Sequence, residues 1–147
     1  MTTYTVTVDD AGTTRWYVDN KLHRENGPAV ERADGSKEWY VDGKRHREDG
    51  PAVELADGYK AWWVNGKLHR TDGPAVEWSN GSKSWYVNGK RHREDGPAVE
   101  GANGYKAWYV DGKELTEAEF RKRTAPKASC VGKVVEVDGV KYKLVKA

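Results

Sequence analysis

Residues 37–58 read KEWYVDGKRHREDGPAVELADG, and the frame they set returns along most of the chain. Trp16, Trp39, Trp62, Trp85 and Trp108 follow one another at steps of 23 residues. His23, His46, His69 and His92 keep the same step, as do Pro28, Pro51, Pro74 and Pro97. Four copies are full; a fifth begins at Gly104 and stops matching after Lys113. A second period of 46 overlies the first, because KLHR alternates with KRHR and GSK with GYK. Self-similarity at this spacing marks a repeat architecture in which each copy buries apolar surface against its neighbours.

Turn chemistry makes the copies β rather than helical. Asp42-Gly43, Asn65-Gly66, Asn88-Gly89 and Asp111-Gly112 are two-residue hairpin signals, since a type I′ turn needs positive φ at both positions. A second turn follows at Asp34-Gly35, Asp57-Gly58, Asn80-Gly81 and Asn103-Gly104. The corner Glu48–Pro51 ends a strand, because proline has no N–H for a ladder. A two-residue loop at 42–43 sets Val41 opposite Lys44, Tyr40 opposite Arg45 and Trp39 opposite His46. Treating 57–58 in the same way sets Val53 opposite Trp62. One face then carries Trp39, Val41, His46 and Val53 with their equivalents, and is expected to be the core. The other carries Tyr17, Tyr40, Trp63, Tyr86 and Tyr109 beside Leu22, Arg45, Leu68 and Arg91.

The pattern W-x-x-[ND]-G-K-x-H-x-x-x-G, followed by a second [ND]-G, resembles the MORN repeat over residues 12–113. The resemblance implies a repeat of about this length built from β-hairpins. The HRxDGPA segment departs from the common pattern, in which a Gly usually follows the His position. That variant resembles repeat proteins of tailed bacteriophages and large DNA viruses. MORN-like arrays are associated with scaffolding and partner binding, sometimes at membrane surfaces, and some bacterial relatives are labelled antitoxins.

The expected fold is therefore all-β, an elongated antiparallel meander or solenoid of 23-residue repeats. Residues 1–14 supply an initial strand and cap, and 15–113 form the array. Residues 114–124 form a short helix, with Thr116 as N-cap, Glu119 as its capping-box partner and Leu115 and Phe120 as a staple. Residues 125–147 make a linker and a hairpin around Asp138-Gly139, with Glu136 opposite Lys141. Terminal elements of this kind close the core of a repeat array.

Composition agrees with a compact β array. Leu, Ile, Val and Phe total only 23 of 147 residues, a scarcity that by itself suggests disorder. The net charge of only +2, with 7 Trp and 8 Tyr, argues instead for an aromatic and valine core. No apolar run approaches the ~18 residues of a membrane span, and a soluble cytoplasmic protein is expected. Residues 1–112 carry 16 basic and 18 acidic side chains and residues 113–147 carry 9 and 5, so the array is mixed and the tail mildly basic. Neither is the basic stripe of a dedicated nucleic-acid binder.

Catalysis finds little support. Equivalent His residues lie at least two strands apart, about 10 Å or more, so neighbouring copies do not share a metal ion at ~2.0–2.1 Å. In the fifth copy the His position is Leu115, so a hydrocarbon satisfies that slot. No Ser or Cys recurs as a nucleophile, Cys130 is the single cysteine, and the expectation is a non-enzyme without cofactor or metal. The Arg24, Arg47, Arg70 and Arg93 series runs with Glu31, Glu54, Glu77 and Glu100, either as surface ion pairs or as a ridge that docks a partner. The aromatic second face is either a partner site or covered by the corner and the C-terminal hairpin. The favoured function is a protein-binding module, a phage-encoded inhibitor or accessory factor aimed at a host antiviral-defence protein. The alternatives are nucleic-acid or anionic-membrane binding through Arg121, Lys122, Arg123 and Lys127, and an antitoxin-like or structural scaffold. Open sheet edges offer a route to a homo-oligomer, with no specific signal selecting one.

Overall fold

A computed structural model of the protein describes residues 1–124, 134–137 and 140–143. One 12-stranded antiparallel sheet runs in chain order from Thr5–Val8 to Lys113–Leu115. Each full copy adds two short strands, such as Val53–Glu54 and Lys60–Ala61, and the three central copies also throw off a two-stranded hairpin. Tyr40–Val41 with Lys44–Arg45 is one of these hairpins. The helix Glu117–Thr124 and the hairpin of Val134–Val137 with Val140–Lys143 complete the described elements. The all-β meander read from the sequence is the observed fold, and Glu136 does stand opposite Lys141.

The I′ turns form as their residues dictate: Asp42 has φ 50° and Gly43 φ 79°. Tyr40 faces Arg45 and Val41 faces Lys44. Trp39 is where the chain leaves the main sheet for the hairpin. Its N–H donates to the Ala52 carbonyl at 2.8 Å, and its own carbonyl accepts the His46 N–H at 3.1 Å. The second turn differs from the two-residue expectation. Gly58 N–H donates to the Leu55 carbonyl at 3.0 Å and Leu55 N–H to the Tyr59 carbonyl at 2.9 Å, so three residues, Ala56 to Gly58, form the loop. Only Gly58 takes positive φ, at 95°, the geometry of a type I turn closed by a glycine bulge.

That extra residue shifts the register by one. Val53 stands opposite Ala61, not Trp62, and Glu54 opposite Lys60. A one-residue shift moves a strand's side chains to the other face, so the expected core face is corrected. Val53, Ala61 and Val76 form the buried cluster, and Leu55, Tyr59, Trp63, Leu68 and Tyr86 pack against it. The apolar cluster thus lies on the Tyr40/Trp63/Tyr86 face, while the Trp39 series is half-buried on the opposite one.

A row of opposite charges follows the register within and between copies. Glu31, Lys37, Glu54, Lys60, Glu77, Lys83, Glu100 and Lys106 face one another in unbroken alternation across adjacent strands. Opposite charges directly across a strand pair each contribute about 0.2–1 kcal/mol, and a slip would forfeit these pairings. Successive hairpins also bond directly, with Gly43 N–H on the Leu22 carbonyl at 2.8 Å and Arg24 N–H on the Tyr40 carbonyl at 3.1 Å.

The far end of the array is capped as its sequence requires. Thr116 N–H donates to Glu119 Oε2 at 2.8 Å and Glu119 N–H to Thr116 Oγ1 at 3.1 Å, a closed capping box. Phe120 is buried, 5 % exposed, and the helix packs on the last two array strands.

Candidate functional site

The two faces of the sheet differ in how far their residues keep to the repeat. On the Trp39 face each copy reuses one device. Arg24, Arg47, Arg70 and Arg93 lay their guanidinium groups 3.9 Å from the ring centres of Trp16, Trp39, Trp62 and Trp85. Arg47 Nη1 also donates to the Pro51 carbonyl and to Glu54 Oε1, each at 3.1 Å, and Nε to Asp49 Oδ1 at 2.8 Å. The arginine thereby closes the corner of its own copy, between Trp39 and Gly50. These Arg–Glu pairs lie within a copy.

The histidines join one copy to the next. His23, His46, His69 and His92 accept at Nδ1 the backbone N–H of Asp42, Asn65, Asn88 and Asp111, all at 3.0–3.1 Å. An accepting Nδ1 places the neutral ring's proton on Nε2. Grooves of about 790, 510 and 740 Å³ separate successive corners, each lined by the same Trp, Val, His and Arg positions. Among the described residues no three His, Cys, Asp or Glu side chains converge closely enough to hold a metal ion.

The other face is where the copies diverge. One position holds Asp9, Arg32, Leu55, Trp78 and Gly101 in turn; another holds Thr13, Ser36, Tyr59, Ser82 and Tyr105. A third holds Arg15, Glu38, Ala61, Ser84 and Ala107, and a fourth Leu22, Arg45, Leu68 and Arg91. Arg32, Ser36, Glu38, Arg45, Leu55, Tyr59 and Trp63 all line one cavity of about 550 Å³ whose floor includes Val53. Tyr17, Tyr40, Trp63, Tyr86 and Tyr109, the predicted aromatic row, are half-buried here. Arg45 lies between Tyr40 and Trp63, 5.8 and 5.4 Å from their ring centres, and Arg91 between Tyr86 and Tyr109 at 5.9 and 5.3 Å. Trp78 and Tyr105 are the most exposed aromatic side chains of the row beside them, at 39 % and 56 %.

Glu38 is the buried charge of this face, 4 % exposed. Arg32 Nη2 donates to Oε1, and Oε2 accepts Arg45 Nη2 at 2.9 Å, Arg45 Nε at 3.1 Å and the Tyr40 hydroxyl at 2.9 Å. Burial opposes ionisation of this carboxyl, but the hydrogen bonds from Arg32, Arg45 and Tyr40 outweigh it and hold its pKa below the ordinary value of 4.5. At the same place in the first copy the polarity is reversed, with Arg15 Nη1 donating to Asp9 Oδ2 at 2.7 Å.

Of the basic tail residues, Arg121 pairs with Glu117 one turn earlier, and Arg121, Lys122 and Arg123 are exposed on the helix. Lys127 and the linker lie outside the described residues. No helix among the described residues is long and apolar enough to cross a membrane. Sequence spacing singled out the aromatic row but missed the Glu38 cluster. Its signal was available in the fourfold change of residue type at one repeat position. Comparison with protein-family models and with curated proteins returns no match for this chain. The resemblance to MORN repeats rests on its own repeat pattern and hairpin turns.

Proposed function

We propose that the chain is a non-enzymatic protein-binding repeat module that docks its partner on the face of Tyr17, Tyr40, Trp63, Tyr86 and Tyr109. The observation that carries this reading is the unequal drift of the two faces. The positions that build the array, Trp39, His46, Arg47, Ala52, Val53 and Glu54 with their equivalents, repeat without change through four copies. The position that changes from acidic Asp9 to basic Arg32, apolar Leu55 and aromatic Trp78 shares one face with the other three that vary. A scaffold of identical units that varies on one side presents a unique surface from a repeated fold. Half-exposed Trp, Tyr and Arg are the side chains most enriched at binding hot spots. The Arg24, Arg47, Arg70 and Arg93 series is satisfied within its own copies, so the proposed surface centres on the aromatic row, Arg45 and Arg91. The phage-like variant of the repeat makes a host protein, inhibited or recruited by this chain, the partner class to test first.

The test is an affinity pull-down with the tagged chain, run with and without nuclease, beside a variant carrying Trp78→Ser, Arg91→Gln and Tyr105→Ser. One protein retained stoichiometrically in both nuclease conditions and lost in the variant is the expected result. Retention unaffected by the three changes refutes the assignment to this face. Retention abolished by nuclease transfers the function to nucleic acid, with Arg121, Lys122 and Arg123 the residues to probe.

A further inference from the structure

The 46-residue period allows the protein to be compared with itself. In the second copy Tyr40, Arg45 and Arg32 surround the Glu38 carboxylate. In the fourth copy Tyr86 and Arg91 occupy the same two places as Tyr40 and Arg45, and the arginine keeps its pose to within about 0.1 Å of ring distance. The carboxylate is gone: position 84 is Ser, and Trp78 stands where Arg32 would be. Two polar groups register the loss. Arg91 makes no ion pair among the described residues, its Nε donating instead to the Tyr86 hydroxyl at 3.1 Å. Ser84, 1 % exposed, has a buried hydroxyl with no hydrogen-bond partner. The hydroxyl is closed to solvent, so a group arriving from outside meets Arg91 and Tyr86 above it.

We infer that Arg91 and Tyr86, over the short Ser84, form a carboxylate-binding site that takes an acidic side chain of the docked partner. The inference rests on the reading of this face as the partner surface and names the chemistry it selects. Glu38 shows what the cradle holds: a carboxylate whose Oε2 takes two bonds from the Arg45 guanidinium and one from the Tyr40 hydroxyl, with Arg32 on Oε1, charge-assisted bonds of the stronger kind. Ser is shorter than Glu by the whole carboxyl group. An incoming Asp or Glu therefore places its carboxylate beyond the Ser84 hydroxyl, against Arg91 and Tyr86. Trp78 and Tyr105 are exposed on the same face.

The test is an NMR titration of the full, isotopically labelled chain with N-acetyl-glutamate N-methylamide, reading the Arg91 Nε–Hε signal and the Ser84 amide. A saturable shift at both is expected, at least tenfold weaker with the neutral glutamine analogue. Arg91→Gln abolishes it, and Ser84→Glu abolishes it by supplying the carboxylate internally. The reciprocal change, Glu38→Ser, brings the same saturable shift to Arg45. Arg91 is exposed, so its variant keeps the fold even where a buried change at 84 disturbs it. No saturable shift at Arg91, an equal response to the glutamine analogue, or persistence of the shift in Ser84→Glu overturns the site. Tighter binding of inorganic phosphate than of the carboxylate probe also overturns it. A partner captured through the aromatic face without any carboxylate response at Arg91 refutes this site alone and leaves the docking face standing.

Discussion

A β-carbon added to Gly50 would stand 2.9 Å from Cζ of Arg47, with Nε and Nη2 at 3.2 Å. The same guanidinium rests on Trp39 at 3.9 Å, so the shift that Gly50→Ala requires lifts the arginine from its place on the indole. The φ of Gly50 lies outside the left-handed region, which leaves the close approach of Arg47 as the reason for glycine there. Lifting the guanidinium forfeits part of a cation–π contact worth about 0.5–2 kcal/mol and loosens its charged hydrogen bonds to Pro51 and Glu54, each about 1.5–3 kcal/mol. Against this, alanine restricts the unfolded chain and returns about 0.4–1 kcal/mol. The net expectation is a loss of about 1 kcal/mol for Gly50→Ala in the native background. With Arg47→Ala already present the obstacle is gone, and the same substitution becomes neutral or stabilising by up to about 1 kcal/mol. Urea denaturation of the four proteins of this double-mutant cycle measures a coupling of about 1–2 kcal/mol. Additivity within about 0.5 kcal/mol would refute the role assigned to the corner glycine and its arginine.

Three further outcomes follow from the same geometry. Glu38 has its carboxyl pKa lowered in the folded protein, so its ionised form contributes stability above the ordinary value of 4.5 and loses it as pH falls through the lowered one; Glu38→Gln flattens the acid limb of a stability–pH curve, and an unchanged limb contradicts the cluster. His46→Leu leaves the Asn65 N–H without its acceptor and costs about 1 kcal/mol by denaturant titration, whereas Leu115→His, where the array ends, gives no matching gain. Thr116→Ala opens the capping box at a cost of about 1 kcal/mol, seen as faster hydrogen exchange at the Phe120 amide.

The repeat and its turns were legible because each depends on a few residues with strong local preferences. Asp42-Gly43 favours a I′ turn, and the pairing of Tyr40 with Arg45 follows from it. The turn at Ala56–Gly58 was misread because an Asp-Gly pair fits either a two-residue I′ loop or the last two positions of a three-residue bulged one. Only the hydrogen bonds to Leu55 separate these, and the choice moves Val53 from one face to the other. The aromatic row was visible at its constant step of 23. The Arg–Trp stacks, the histidine bonds to the next copy and the Glu38 cluster join residues on strands whose relative bend at Trp39 no linear spacing reveals. Arg47 reads in sequence as a surface charge, yet it holds a corner together.

The division of labour between the two faces is tested most directly by site-specific photo-crosslinking. A photoreactive phenylalanine analogue at position 105, on the diversified face, is compared with one at position 60, in the charged row on the opposite side. Both positions are exposed, so neither substitution disturbs the buried cluster. The account predicts a discrete adduct with one partner protein from position 105 and none from position 60. The same adduct from both positions, or from position 60 alone, would contradict it.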